Sequence, residues 1–209
     1  MSLRRSTDPQ QSESGLSLLQ GLFVLAMGIV MPLTGYLSQR FGRKRVFMLG
    51  LGTFALGSLL CGISPNLQFF ILFRILQGIG GGLTSPLGMA LLLQTFPLKE
   101  HGTALGYFGI AALAAPALGP VMGGWLVSLD LWRVIFFVNI PIALVNILLC
   151  RHYLKRDSRS GHGSLDLAGI LAEIVGFGSI LLGATLAAGR GWLATETLLC
   201  FGIGLLGLV

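Results

Sequence analysis

An arginine stands inside an apolar run at Arg74, seven residues into the stretch 67–95, with Gln77 one helical turn beyond it. At the rise of an α-helix this places the cation roughly 10 Å along the axis. A guanidinium at that depth is costly, and it marks a substrate or ion pathway with a partner facing the bundle interior. Snorkelling to the membrane interface is the plainer alternative. Gln77 is positioned to share the polar surroundings. Glu173 is the one acid clearly inside a span, several residues in from the opposite side. In a hydrocarbon core about 30 Å thick, Glu173 and Arg74 differ in depth by about 10 Å. A direct ion pair between them is therefore not expected, and Glu173 either lines a cavity or sits near the cytoplasmic interface.

Two other clusters stand out. Arg40, Arg43, Lys44 and Arg45 lie within six positions between two apolar stretches and cannot remain in hydrocarbon. They read as a tight basic hairpin over 39–45, held in the cytoplasm because basic short loops are retained on that side. Gly35 and Gly42 are read as letting the backbone turn sharply there. The segment 109–124 combines Gly109, Pro116, Gly119, Pro120, Gly123 and Gly124 in a single span. Two prolines one turn apart remove hydrogen bonds on neighbouring turns. The expectation is a kinked helix closely apposed to a neighbour, suited to a moving gate. Tight packing without a further role is the alternative for any single glycine.

Composition sets the class to which these residues belong. Apolar residues make up 54% of the 209-residue chain and charged residues 11%, with a mean hydropathy of +0.83. Soluble domains carry about 25% charged residues, so a water-exposed globule is excluded. The net charge of +6 sits in short loops between apolar spans, with no basic face of interleaved aromatics, so nucleic acid is not an expected partner. The lipid bilayer is. Cys61, Cys150 and Cys200 fall in apolar segments without ligand spacing, and they read as small buried hydrophobes, with no metal site. No His lies inside a span, and no Ser or Cys has an evident base, so the chain does not read as an enzyme. Gly78-Ile-Gly80-Gly-Gly82 lacks the spacing and the preceding strand of a nucleotide loop.

The apolar runs are too long and continuous for barrel strands, and helices are the remaining way to span a bilayer. They predict an all-α membrane protein with helices at 16–38, 46–63, 67–95, 102–128, 133–152 and 167–188, and a seventh begun near Glu196 and cut off at Val209. With 39–45 in the cytoplasm, the loops 97–101 and 151–166 join it there, and the three hold nine Lys/Arg against two on the other side. Arg4 and Arg5 run against this if the first visible span is truly the first. Four segments follow: a polar, disordered stretch at 1–15, a helical block at 16–152, a basic linker at 153–165 carrying His162, and further helices at 166–209. His152 is read with the linker as a solvated loop histidine.

These residues resemble the major facilitator superfamily. Gly35-Tyr-Leu-Ser-Gln-Arg-Phe-Gly-Arg-Lys44 is similar to the family's loop motif between helices two and three. Leu72-Phe-Arg74-Ile-Leu-Gln77-Gly78-Ile-Gly80 is similar to its helix-four motif. The 109–124 segment resembles the helix-five motif of its exporting antiporters, and Trp132 to Pro141 with Asp166 to Gly169 resembles the 14-span drug:proton antiporters, the EmrB/QacA-like group. The resemblance covers about residues 30–190. It implies proton coupling at Arg74, with Gln77 beside it, and a cytoplasmic gating loop at Gly35, Gln39, Arg40, Gly42, Arg43 and Lys44. It also implies a helix-five hinge at Gly109, Pro116, Gly119, Pro120, Gly123 and Gly124. Gln39 stands where the family has an acid. By the same comparison the chain starts at the family's second helix, so its expected partners are a small-molecule substrate, the first helix and the C-terminal half. The expected activity is that of a fragment of a proton-coupled exporter, driven by a proton gradient without a bound cofactor. The alternatives are an inactive truncated membrane protein, an interaction partner, or a metabolite importer of the same fold.

Overall fold

In lipid no water satisfies backbone N–H and C=O groups, so each apolar stretch closes its hydrogen bonds internally as a helix. The computed structural model describes residues 9–154, 167–192 and 194–208, and the elements among them are helices. In chain order they are α1 (Pro9–Phe41), α2 (Arg43–Gly62), α3 (Leu67–Thr95), a 3₁₀ turn (Leu98–Glu100), α4 (His101–Ser128), α5 (Val134–Tyr153), α6 (Leu167–Arg190) and α7 (Thr195–Leu208). Five described segments are long and apolar enough to cross a membrane: Gln20–Phe41, Arg43–Gly62, Leu67–Thr95, Leu98–Ser128 and Val134–Tyr153. α6 and α7 occupy the places of the sixth and seventh expected spans, and the chain is an all-α integral membrane protein.

The structure corrects the ends of several elements. The basic hairpin is not a seven-residue loop. α1 continues to Phe41 and α2 begins at Arg43, leaving Gly42 alone between them. Gly42 has φ 90° and ψ 141°, a conformation open only to glycine. Gly42 N–H donates to Ser38 O at 2.9 Å, and its carbonyl accepts from Val46 N at 3.2 Å. Gly35, expected at the turn, is an exposed residue inside α1. α1 reaches back to Pro9, ahead of the expected start at 16. His152 lies in the last turn of α5, not in a loop, whereas His162 and most of the 153–165 linker lie outside the described residues.

α3 is the central helix, packed most extensively against α2 and then α1, while α5 packs on α2. The start of α3 is defined by Asn66, whose side chain accepts from Phe69 N at 3.0 Å. Its glycines set its distance from its neighbours. A Cβ on Gly78 would meet Phe23 O of α1 at 2.7 Å, and one on Gly82 would meet Met27 O at 2.7 Å. On the other flank, a Cβ on Gly57 of α2 would meet the Gln77 backbone at 2.7 Å, and one on Gly80 would meet the backbone of Phe54. Apolar side chains gain little by leaving lipid for a helix interface, so close backbone approach through small residues carries the association. α6 and α7 pair in the same way, with Gly207 against Ala172 O, and α6 rests on α1 where Phe177 and Leu181 flank Gly28.

α4 is the exception. It runs unbroken through Pro116 and Pro120, but its contacts with α3 and α5 are sparse. A Cβ on Gly102, Gly106, Gly109, Gly119, Gly123 or Gly124 would meet nothing within 4 Å. The close apposition expected of this segment is therefore not made to any described helix. The small residues form an open face.

The two glycine sets predict opposite responses. Gly57→Val or Gly80→Val should lower stability by about 1–3 kcal/mol, as overpacking does. Gly106→Ala or Gly119→Ala should be neutral or stabilise by up to about 1 kcal/mol, the helix preference of Ala over Gly. Thermal unfolding of the detergent-solubilised protein measures both. Equal losses in the two sets would contradict this packing.

Candidate functional site

Inside the α2–α3–α5 cluster four polar side chains form a chain. Arg74 Nη1 donates to Gln77 Oε1 at 3.2 Å, one turn along α3. Gln77 Nε2 donates in turn to Ser58 Oγ of α2 at 2.6 Å, and Asn139 Nδ2 of α5 lies 3.5 Å from the same oxygen. Gln77 is 2% exposed and Ser58 wholly buried. Three rings surround the guanidinium: Phe136 at 4.7 Å, Phe70 at 5.5 Å and Phe23 at 5.7 Å from Arg74 Cζ. Phe70, Trp132 and Phe136 are mutually edge-to-face, which holds two of these rings in place.

Magnitudes explain how a cation is held there. Burying Arg at the centre of a spanning helix costs about 2.5–3.5 kcal/mol. Each cation–π contact returns about 0.5–1 kcal/mol or more where water is excluded. A hydrogen bond to a charged group adds about 1.5–3 kcal/mol. Three rings and one amide therefore offset the cost without an acid. Among the described residues Gln77 is the hydrogen-bond acceptor for Arg74, and Arg74 Nε is buried without a partner. The guanidinium faces the bundle interior, among rings from α1, α3 and α5.

At the other end of the bundle the basic residues divide their tasks. Lys44 Nζ donates to Arg151 O at 3.0 Å and to Leu154 O, and so covers the carbonyl end of α5. The first turn of a helix is a poor place for a cation and the last turn a good one, so Lys44 gains by leaving its own helix end for that of α5. Arg43 reaches Gln94 Oε1 of α3 at 3.4 Å, and Arg40 donates to Tyr36 OH at 2.7 Å. Gln39 and Arg45 are exposed. Beside them a groove of about 420 Å³ opens between the end of α3 and the start of α4, walled by Leu92, Phe96, Ala104, Tyr107 and Phe108. At the far end Arg133 donates to Ser64 O at 3.1 Å, joining the α4–α5 loop to the α2–α3 loop.

Of the residues singled out in the sequence, the structure joins Arg74 to Gln77 and gathers Gly42, Arg43 and Lys44 at one end. Gly109, Pro116, Gly119, Pro120, Gly123 and Gly124 lie along α4, away from both clusters. Glu173 falls on α6, and its side chain lies outside the described residues. Sequence reasoning passed over Ser58, Phe70 and Phe136. A buried serine in an apolar span was the one available signal for Ser58, whereas the phenylalanines look like any lipid-facing residue.

Glycine-packed helices of membrane length, with a half-buried cation held by a polar chain, define a multi-pass membrane protein. Residues 5–209 match the family described as Major Facilitator Superfamily, and the chain belongs to that family. It is 36% identical over 177 residues to the multidrug resistance protein B homolog of Mycobacterium tuberculosis, covering 85% of this chain and 33% of the relative. It is 36% identical over 174 residues to the multidrug export protein EmrB of Haemophilus influenzae, covering 80% and 34%. An uncharacterized MFS-type transporter, YhcA of Bacillus subtilis, is 36% identical over 170 residues, covering 81% and 32%. The chain spans about a third of the length of these curated relatives. The resemblance to the EmrB-like group is thus borne out by relatives bearing that name.

Gly42 gives this end of the bundle a sharp test. A side chain at its φ and ψ is strained by about 1–3 kcal/mol. Gly42→Ala should lower the unfolding temperature measurably, while Gly35→Ala, inside α1, should not. A Gly42→Ala protein as stable as the parent would contradict the single-residue turn.

Proposed function

We propose that the chain is part of a proton-coupled antiporter that exports drugs or other small molecules by alternating access. In this reading α1 to α5 belong to one of the two repeats that rock about a midplane site, and the remaining helices of the fold complete the path. Arg74 is the group whose interactions change with protonation of the pathway, and Gln77 is its neutral acceptor. The cytoplasmic cluster of Gly42, Arg43 and Lys44 is the gating element, and the open α4 face is the surface that slides during the transition. The proton gradient is the energy source, with no cofactor required.

The observation that carries the reading is the half-buried Arg74, held by a neutral amide and three rings. A structural ion pair would leave the cation committed. A neutral acceptor leaves it available. Relatives named for multidrug export support the choice of cargo class, and the small-residue face of α4 supports a moving contact.

The test uses everted vesicles bearing the complete transporter and ethidium, a lipophilic cationic dye. Arg74→Ala should lower proton-driven dye export at least about tenfold, equivalent to about 1.4 kcal/mol in the transport barrier. Proton-driven export by the variant at the parental rate would overturn the role of Arg74.

A further inference from the structure

We propose that Ser58 and Asn139 are positioning residues that set the direction of the Gln77 amide and, through it, the placement of Arg74. The proposal rests on the reading of Arg74 as the coupling group, and one arm of its test is independent of that reading.

Donor chemistry dictates the direction. Arginine has donors and no acceptor, so Gln77 must turn its carbonyl toward Arg74. Its Nε2 then points away, and the oxygen that receives it is Ser58 Oγ at 2.6 Å. With the amide reversed, an NH₂ group would face the guanidinium, donor against donor, and Gln77 and Ser58 are both sealed from solvent. Ser58 therefore selects the orientation in which Arg74 has its acceptor. Gly57, the residue before Ser58, brings the α2 backbone against Gln77 itself, which puts the hydroxyl within reach.

Asn139 brings α5 into the same control. Its amide meets Ser58 Oγ at 3.5 Å, the longest link of the chain and the first to part if α5 shifts. One turn earlier on α5 stands Phe136, the ring nearest the guanidinium at 4.7 Å. One helix thus touches Arg74 twice, by a ring and by a relay of uncharged groups. Movement of α5 against α2 would loosen both holds together and release the cation from Gln77.

A substitution at Gln77 separates positioning from packing. In Gln77→Glu both terminal oxygens accept, so the direction of the group no longer matters. The chain in lipid nanodiscs, labelled with ¹⁵N-arginine, reports Arg74 through its Nε–H resonance, identified by its loss in Arg74→Lys. Ser58→Ala should move this resonance in the parent and leave it in place in the Gln77→Glu background. Asn139→Leu, at a half-buried position, should give a smaller shift that also vanishes with Gln77→Glu, and it serves if Ser58→Ala does not fold. An unmoved resonance in the parent, or equal shifts in both backgrounds, would overturn the proposal.

The second arm measures dye export by the complete transporter against pH. Ser58→Ala should lower export about tenfold at the parental optimum, the scale of the Arg74–Gln77 hydrogen bond that it would misdirect. It should also displace the pH profile with KM little changed, and Ser58→Thr, which keeps the hydroxyl, should restore it. A moved resonance with an unmoved pH profile would overturn the link to coupling. Export indifferent to a protonophore would overturn the reading of Arg74 instead and leave the positioning result standing.

Discussion

At Gly57, Gly78, Gly80 and Gly82 the backbone of α3 comes against the backbones of α1 and α2. The rest of the bundle depends on that approach. A Cβ at Gly57 would stand 2.7 Å from the Gln77 backbone, and one at Gly78 would stand 2.7 Å from Phe23 O. Because lipid competes evenly for apolar side chains, dispersion between closely apposed backbones supplies what burial supplies in water. The same closeness brings Ser58 to 2.6 Å from Gln77 and places Phe23 over the Arg74 guanidinium. Packing and site have one cause.

Polar ties then run the full length of the α2–α5 pair. Arg133 binds Ser64 O at one end, Asn139 reaches Ser58 in the middle, and Lys44 covers the Arg151 and Leu154 carbonyls at the other end. Each tie joins α2 or its flanking loop to α5 or its flanking loop. α1, α2, α3 and α5 form a connected block, and α4, with its open row of glycines, stands outside it.

How much could be read from the residues depends on the range of the interaction. The bounds of α3 were legible at both ends, because Asn66 caps the start and Pro97 follows the stop. Apolar run length likewise gave the membrane class, and the motifs at 35–44, 72–80 and 109–124 gave the family resemblance. The basic hairpin was misread because charge was taken as loop. Arg43, Lys44 and Arg45 instead lie in the first turn of α2, where a helix end at the interface tolerates cations that find carbonyls elsewhere. The partners of Arg74 were not legible beyond Gln77. Phe136 meets it directly, and Ser58 and Asn139 reach it through Gln77, only because three helices cross where they do, and spacing along one helix carries no information about a crossing. The α4 segment shows the converse. Its small residues announce a close contact, but they do not say with which helix.

Proton coupling is the central claim, and counterflow tests it most directly. Everted vesicles carrying the complete transporter, with an acidic lumen and ethidium outside, should accumulate the dye, and a protonophore should collapse that accumulation. Accumulation that persists after the proton gradient is abolished would contradict the account.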